Sequence, residues 1–137
     1  MRVFFDSSAF AKRYVDEAGT AEVQGWCDEA TELALSVIAV PELISAFCRL
    51  LRERRITKVQ YARLKGGLLA DLADALVCDT SPQVIQKAIE ALEAQPLRAM
   101  DAIHVGAAFV CSADVFVSAD ARQCDAAAHL GLKVVAL

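Results

Sequence analysis

Aromatic residues are scarce, 7% of the 137 positions, although 56% of the chain is apolar. Aliphatic side chains and alanine must therefore fill the interior. That texture suits helices packed on a sheet and is unlike a disulfide-stapled or disordered chain. No run of about 18 uncharged apolar residues occurs, so no membrane span is expected. A signal peptide is not expected either, because the chain reaches Asp6 before an apolar stretch could form. Repeats, low-complexity tracts and linkers are absent. The length fits one domain over residues 1–137, long enough to bury a real core. CxxC pairs and Cys/His ligand spacings are missing as well. The five cysteines (Cys27, Cys48, Cys78, Cys111 and Cys124) are scattered and odd in number, which favours reduced thiols in a cytoplasmic protein over a zinc site.

The formal net charge of −4 at first speaks against a nucleic-acid partner. Its distribution softens that objection. Seven of the fourteen Lys and Arg residues lie between Arg49 and Lys65, and a locally basic surface can bind phosphates whatever the global balance. The stretch reads equally as the solvated face of two helices and their turn.

Apolar periodicity predicts alternating strands and helices. Arg2 to Phe5 reads as a strand, and Asp6-Ser7-Ser8 as a helix start before Phe10, Ala11 and Tyr14. A helix is predicted from about Thr20 to Ala30 and a buried strand from Leu33 to Ala39. The next helix is expected to take Pro41 as its first residue and to run through Leu43, Ile44, Phe47 and Leu50. Thr57 should cap a helix reaching about Asp74. Ala75 to Cys78 reads as a strand, and Ser81-Pro82 opens a helix that ends before Pro96. Ala99 to Cys111 is expected to be helical, Val115 to Val117 a strand, and Ala121 to Leu130 a helix closed by Gly131. Lys133 to Ala136 forms the last strand. Such alternation implies a parallel sheet covered on both faces, with its ligand site beyond the carboxyl ends of the strands.

Four acids fall on that rim: Asp6 after the first strand, Glu42 in a first helical turn, Asp101 near another helix start, and Asp120 after the fourth strand. Each has a plain structural reading, Asp6 and Asp120 as N-caps, Glu42 and Asp101 as partners of a helix dipole. Asp79 also ends a strand, so position alone does not single out the four.

Their surroundings do. Val3-Phe4-Phe5-Asp6-Ser7-Ser8-Ala9, Val40-Pro41-Glu42-Leu43, Met100-Asp101-Ala102-Ile103-His104 and Phe116-Val117-Ser118-Ala119-Asp120 resemble, in order and spacing, the four acidic motifs of the PIN domain. The resemblance spans Arg2 to Leu137, and the compact size is similar to that of VapC toxins of toxin–antitoxin pairs. It implies a three-layer α/β/α domain with about five parallel strands in the order 3-2-1-4-5, the switch point beside Asp6 and Asp120, and Asp79 outside the cluster. It further implies an endoribonuclease that uses Mg²⁺ or Mn²⁺ and leaves a 5′-phosphate and a 3′-hydroxyl. Asp6, Asp101 and Asp120 would hold the ion, and Glu42 would bind a second ion or position water. Ser118 and Ser8 match the family's small hydroxyl residues, whereas Asp125 reads more simply as a solvated residue of the last helix. A homodimer and a cognate antitoxin are implied too, the antitoxin lying in a groove around the basic stretch and the apolar residues Leu50, Leu51, Ile56, Val59, Tyr61, Leu64, Leu68 and Leu69.

The chemistry agrees with such a site. Carboxylates are hard ligands matched to Mg²⁺ or Mn²⁺. Four in one pocket would repel, each pair by roughly 3 kcal/mol at ~5 Å and an effective dielectric near 20, so the cluster favours a cation or a shared proton. His104 could serve as a base or simply as a buried structural histidine. His129, near Gly131, reads as a helix C-terminal residue. Two other readings differ in kind. One is a PIN-like module that binds RNA or protein without cutting. The other is a phosphoaspartate receiver, which would need paired acids after the first strand, where Asp6 stands alone.

Overall fold

The computed structural model describes residues 1–137. Its elements are β1 (Arg2–Phe5), α1 (Ser7–Phe10) with a 3₁₀ turn at Ala11–Arg13, α2 (Thr20–Glu29), β2 (Glu32–Ser36), α3 (Ala39–Arg52) and α4 (Lys58–Asp74). They continue as β3 (Leu76–Cys78), α5 (Pro82–Ala94), α6 (Ala99–Val110), β4 (Val115–Ser118), α7 (Ala121–His129) and β5 (Val134–Ala136). The five strands form one sheet in the order β3-β2-β1-β4-β5, and every pairing is parallel.

Side chains alternate across each strand, so neighbouring residues enter different cores. Val3, Phe5, Leu35, Val115 and Val117 pack with residues of α1 to α4, including Phe10, Val23, Leu43, Phe47 and Leu68. Phe4, Ala34 and Phe116 face the other way, onto Val84, Ala91, Val105 and Ala126 of α5, α6 and α7. Phe4 and Phe116 stack across the β1–β4 pair with ring centroids 5.8 Å apart. The result is the three-layer α/β/α arrangement expected from the resemblance. No helix is long and apolar enough to cross a membrane.

Helix starts follow local chemistry. Thr57 and Gln60 close a reciprocal capping box on α4, and Ser81 accepts from the Val84 amide ahead of Pro82. The start of α3 differs from expectation. β2 stops at Ser36, and the helix begins at Ala39, two residues before Pro41. The Val37 amide turns to the Cys78 carbonyl at 2.8 Å, and the Ser36 hydroxyl accepts from the Ile38 amide at 3.3 Å. The chain thus leaves the sheet early. Pro41 is tolerated at the third helical position because the first four amides of a helix need no intrahelical acceptor.

Candidate functional site

Parallel order places the switch point between β1 and β4, whose strands diverge to opposite halves of the sheet. Asp6 leaves β1 there, its amide bonded to the Val117 carbonyl at 3.2 Å. It is fully buried, and its carboxylate is saturated with donors. The Ala9 amide reaches Oδ1 at 2.9 Å, the Ser8 hydroxyl lies 2.8 Å from both oxygens, and the Ser118 hydroxyl reaches Oδ2 at 2.8 Å. Burial pushes the Asp6 carboxyl above its ordinary range, against the pull of those three donors and of nearby His104. Ser118 also accepts from the Asp120 amide at 2.9 Å, tying the first and fourth acidic segments together.

Asp120 caps α7, its Oδ1 accepting from the Arg122 and Gln123 amides. Buried Gln123 in turn donates through Nε2 to Asp101 Oδ1 at 3.1 Å. Asp101, in the first turn of α6, is raised by burial first, then by repulsion from Asp120 and, more weakly, from Asp6 and Glu42, with His104 opposing. Asp101 therefore feels the charges of all three other acids. Asp79 follows the edge strand β3, two strands away from β1 and the switch point.

Glu42 stands in the first turn of α3. His104, only 1% exposed, points Nε2 at Glu42 Oε1 at 2.6 Å, and the Ser7 hydroxyl donates to the same oxygen at 2.9 Å. Because a carboxylate only accepts, Nε2 carries the proton facing it. Burial pushes the Glu42 carboxyl upward, but the hydrogen bond and charge of His104, with Ser7, outweigh it and hold the group below its usual range. The other ring nitrogen, Nδ1, meets no protein partner.

Three carboxylate oxygens thus remain without a protein hydrogen bond: Glu42 Oε2, Asp101 Oδ2 and Asp120 Oδ2. They are of the right chemical type for a hard divalent cation. As they stand, no three acidic, histidine or cysteine side chains are gathered tightly enough to enclose one. Each acid leans instead on a donor of the chain itself, which offsets their mutual repulsion.

Asp101 and Asp120 line an open cavity of about 470 Å³ together with Arg98, Ala121 and Arg122. Neither arginine, nor Ser7 or Gln123, stood out in the sequence. The readable signal was adjacency, since Arg98 lies three residues before Asp101 and Arg122 two after Asp120. Asp125 is exposed on α7, and His129 sits in its last turn. The basic stretch lies elsewhere, on the last turn of α3, the following turn and α4. There Leu68 is core, whereas Val59 and Leu69 are exposed, at 70% and 49%. Two clefts open beside it, one floored by Val15, Phe47 and Leu50 and edged by Arg49 and Arg55, the other by Leu50, Ile56 and Leu64 and edged by Arg63.

Sheet order, layers and acids define an α/β/α domain with an acidic pocket at its switch point. Residues 3–129 match the family model of the PIN domain, and the chain belongs to that family. Its fold is shared with solved toxin–antitoxin structures. FitAcB from Neisseria gonorrhoeae aligns over 96% of this chain and 95% of its own, with 17% identity and a TM-score of 0.71. VapC20 from Mycobacterium tuberculosis, a sarcin-ricin loop cleaving toxin, covers 98% and 99% with 14% identity and a TM-score of 0.69. VapBC2 from Rickettsia felis, bound to a promoter DNA fragment, covers 100% and 99% with 12% identity and a TM-score of 0.71. At such identities the likeness is one of fold. No curated protein sequence matches the chain.

Proposed function

We propose that the chain is a Mg²⁺- or Mn²⁺-dependent endoribonuclease, the cytoplasmic toxin of a toxin–antitoxin pair. What supports this reading is that the charges of Asp120, Asp6 and Glu42 all reach Asp101 beside the switch point. Asp6, Asp101 and Asp120 are the residues to hold the ion, which when bound would polarise the phosphate and stabilise the leaving 3′-oxygen. The chain's own residues prepare that site. Ser8 and Ser118 fix Asp6, Gln123 fixes Asp101, and the cap of α7 fixes Asp120. His104 and Ser7 occupy Glu42 Oε1 and leave Oε2 to orient the attacking water and accept its proton. The apolar clefts with arginine rims around α3 and α4 suit an antitoxin segment, and the resemblance to dimeric toxins supports a homodimer.

The test is cleavage of RNA with Mn²⁺ by the parent, Asp6→Asn and Asp101→Asn, with folding followed by circular dichroism. The variants should stay folded and lose cleavage. Variants that cut as well as the parent would sink the assignment.

Saturation of Asp6 by three donors favours a second reading, a PIN module that binds RNA or protein without cutting. Titration with Mn²⁺ separates the two. A true site gains about 2.7 kcal/mol of stability at one hundred times its Kd, whereas a dead one shows no thermal shift.

A further inference from the structure

We infer that Arg98 and Arg122 form a phosphate-gripping pair at the mouth of the acidic pocket, holding the backbone of single-stranded RNA on either side of the bond to be cut. The inference rests on the reading of the pocket as an RNA site. Of the five residues lining the 470 Å³ cavity, four are charged: Arg98, Asp101, Asp120 and Arg122. Arg98 and Asp101 are three apart at the start of α6, a spacing at which opposite charges readily meet. Even so, neither arginine takes part in any ion pair of the molecule, nor does either guanidinium donate a hydrogen bond to another residue. Both side chains are exposed. Two forks of five donors each are thus left free beside carboxylates they do not neutralise.

A polyanion entering this cavity faces the carboxylates of Asp101 and Asp120 and needs cations close by. The basic stretch is less well placed to supply them, because even Arg49, its first member, lies about 10.5 Å along α3 from Glu42 at 1.5 Å per residue. Arg98 and Arg122 stand instead at the starts of α6 and α7, where helix dipoles already favour phosphate. Guanidinium forks match phosphate in a bidentate fashion, and a pair of them straddling Asp101 and Asp120 would fix the register of the strand over the acids.

The experiment measures binding of a fluorescein-labelled single-stranded RNA by anisotropy in EDTA from 50 to 300 mM KCl, and cleavage of the same RNA in Mn²⁺. The proteins are the parent, Arg98→Gln, Arg122→Gln, the double variant, Arg98→Lys and Lys58→Gln. Each glutamine change should weaken binding roughly tenfold and lower the slope of log K against log salt by about 0.7, the double variant by about 1.4. KM should rise while kcat holds. Arg98→Lys should keep the slope and lose part of the affinity, and Lys58→Gln should match the parent. Parental slope and KM in the double variant would overturn the inference while leaving the nuclease reading intact. An arginine-dependent slope in a parent that does not cut RNA would do the reverse. A parent that binds no RNA in either buffer overturns both.

Discussion

Gly106→Ala offers a sharp check on how the helix that carries Asp101 and His104 is seated. α5 and α6 make the most extensive contact between elements in the molecule, and Gly106 packs directly against the backbone of α5. A Cβ placed there would stand 2.7 Å from the Val84 carbonyl oxygen, 3.0 Å from the Ala88 amide nitrogen and 3.5 Å from the Lys87 carbonyl carbon. All three are backbone atoms of α5 and cannot rotate aside, so α5 must retreat by several tenths of an ångström. In an exposed helix the same change would gain about 1 kcal/mol from propensity. Overpacking against a rigid neighbour costs typically about 1–3 kcal/mol, and here it should win. The expected net loss is up to about 2 kcal/mol, or up to roughly 7 °C in melting temperature for a domain of this size. Gly66 in α4 supplies the contrast, since a Cβ there meets nothing within 4 Å, and Gly66→Ala should stabilise by about 0.5–1 kcal/mol. Thermal and urea melts of the two variants beside the parent decide the matter. A Gly106→Ala protein as stable as Gly66→Ala would refute the close seating of α6 on α5.

Two further predictions concern pH and have opposite signs. Asp101 is raised in the folded state, so its contribution is fully present below the ordinary aspartate range and lost as pH climbs through the folded value. In EDTA, Asp101→Asn should therefore gain on the parent between about pH 4 and neutrality; a gap that stays flat or shrinks contradicts the upward shift that burial and the neighbouring acids produce. Asp71 behaves the other way. Burial would raise it, but Arg13 at 2.8 and 3.1 Å and the Tyr14 hydroxyl at 2.5 Å outweigh burial and lower it. Its contribution is present above the ordinary range and lost as pH falls through the folded value. Asp71→Ala should cost about 1–3 kcal/mol at neutral pH, allowing for partial exposure, and the deficit should vanish in acid. A deficit that persists unchanged in acid would contradict the sign.

Strand order was legible because it depends on what a single chain displays, namely alternation, caps and short motifs in a fixed order. The start of α3 was not, because Pro41 obeys its usual preference for a first helical position only when nothing else begins the helix earlier. Here the amide of Val37 finds its partner on β3, far along the chain, and the turn follows from that pairing. The supporting side chains were hidden for the same reason. Ser7 meets Glu42 35 residues away, and Gln123 meets Asp101 22 residues away. Arg98 and Arg122, isolated in the sequence, are overshadowed there by the dense run at 49–65 although they share the cavity with Asp101 and Asp120.

The plain structural reading of Asp6 and Asp120 and the proposed chemical one fall on the same side chains. Asp120 caps α7 through Oδ1 and keeps Oδ2 without a protein hydrogen bond, and Asp6 caps α1 while its second oxygen takes the Ser118 hydroxyl. A cap holds a carboxylate at a helix N-terminus, where the dipole lowers the cost of its charge, and this would let acids stand near one another ahead of any bound cation. The two duties separate on substitution. Asparagine caps a helix about as well as aspartate but is a far poorer partner for a divalent ion. Asp120→Asn should therefore melt close to the parent in EDTA and lose the Mn²⁺-dependent thermal shift. If it unfolds instead, Asp120 is principally a cap and contributes little to an ion site; if it keeps the full shift, the ion binds elsewhere.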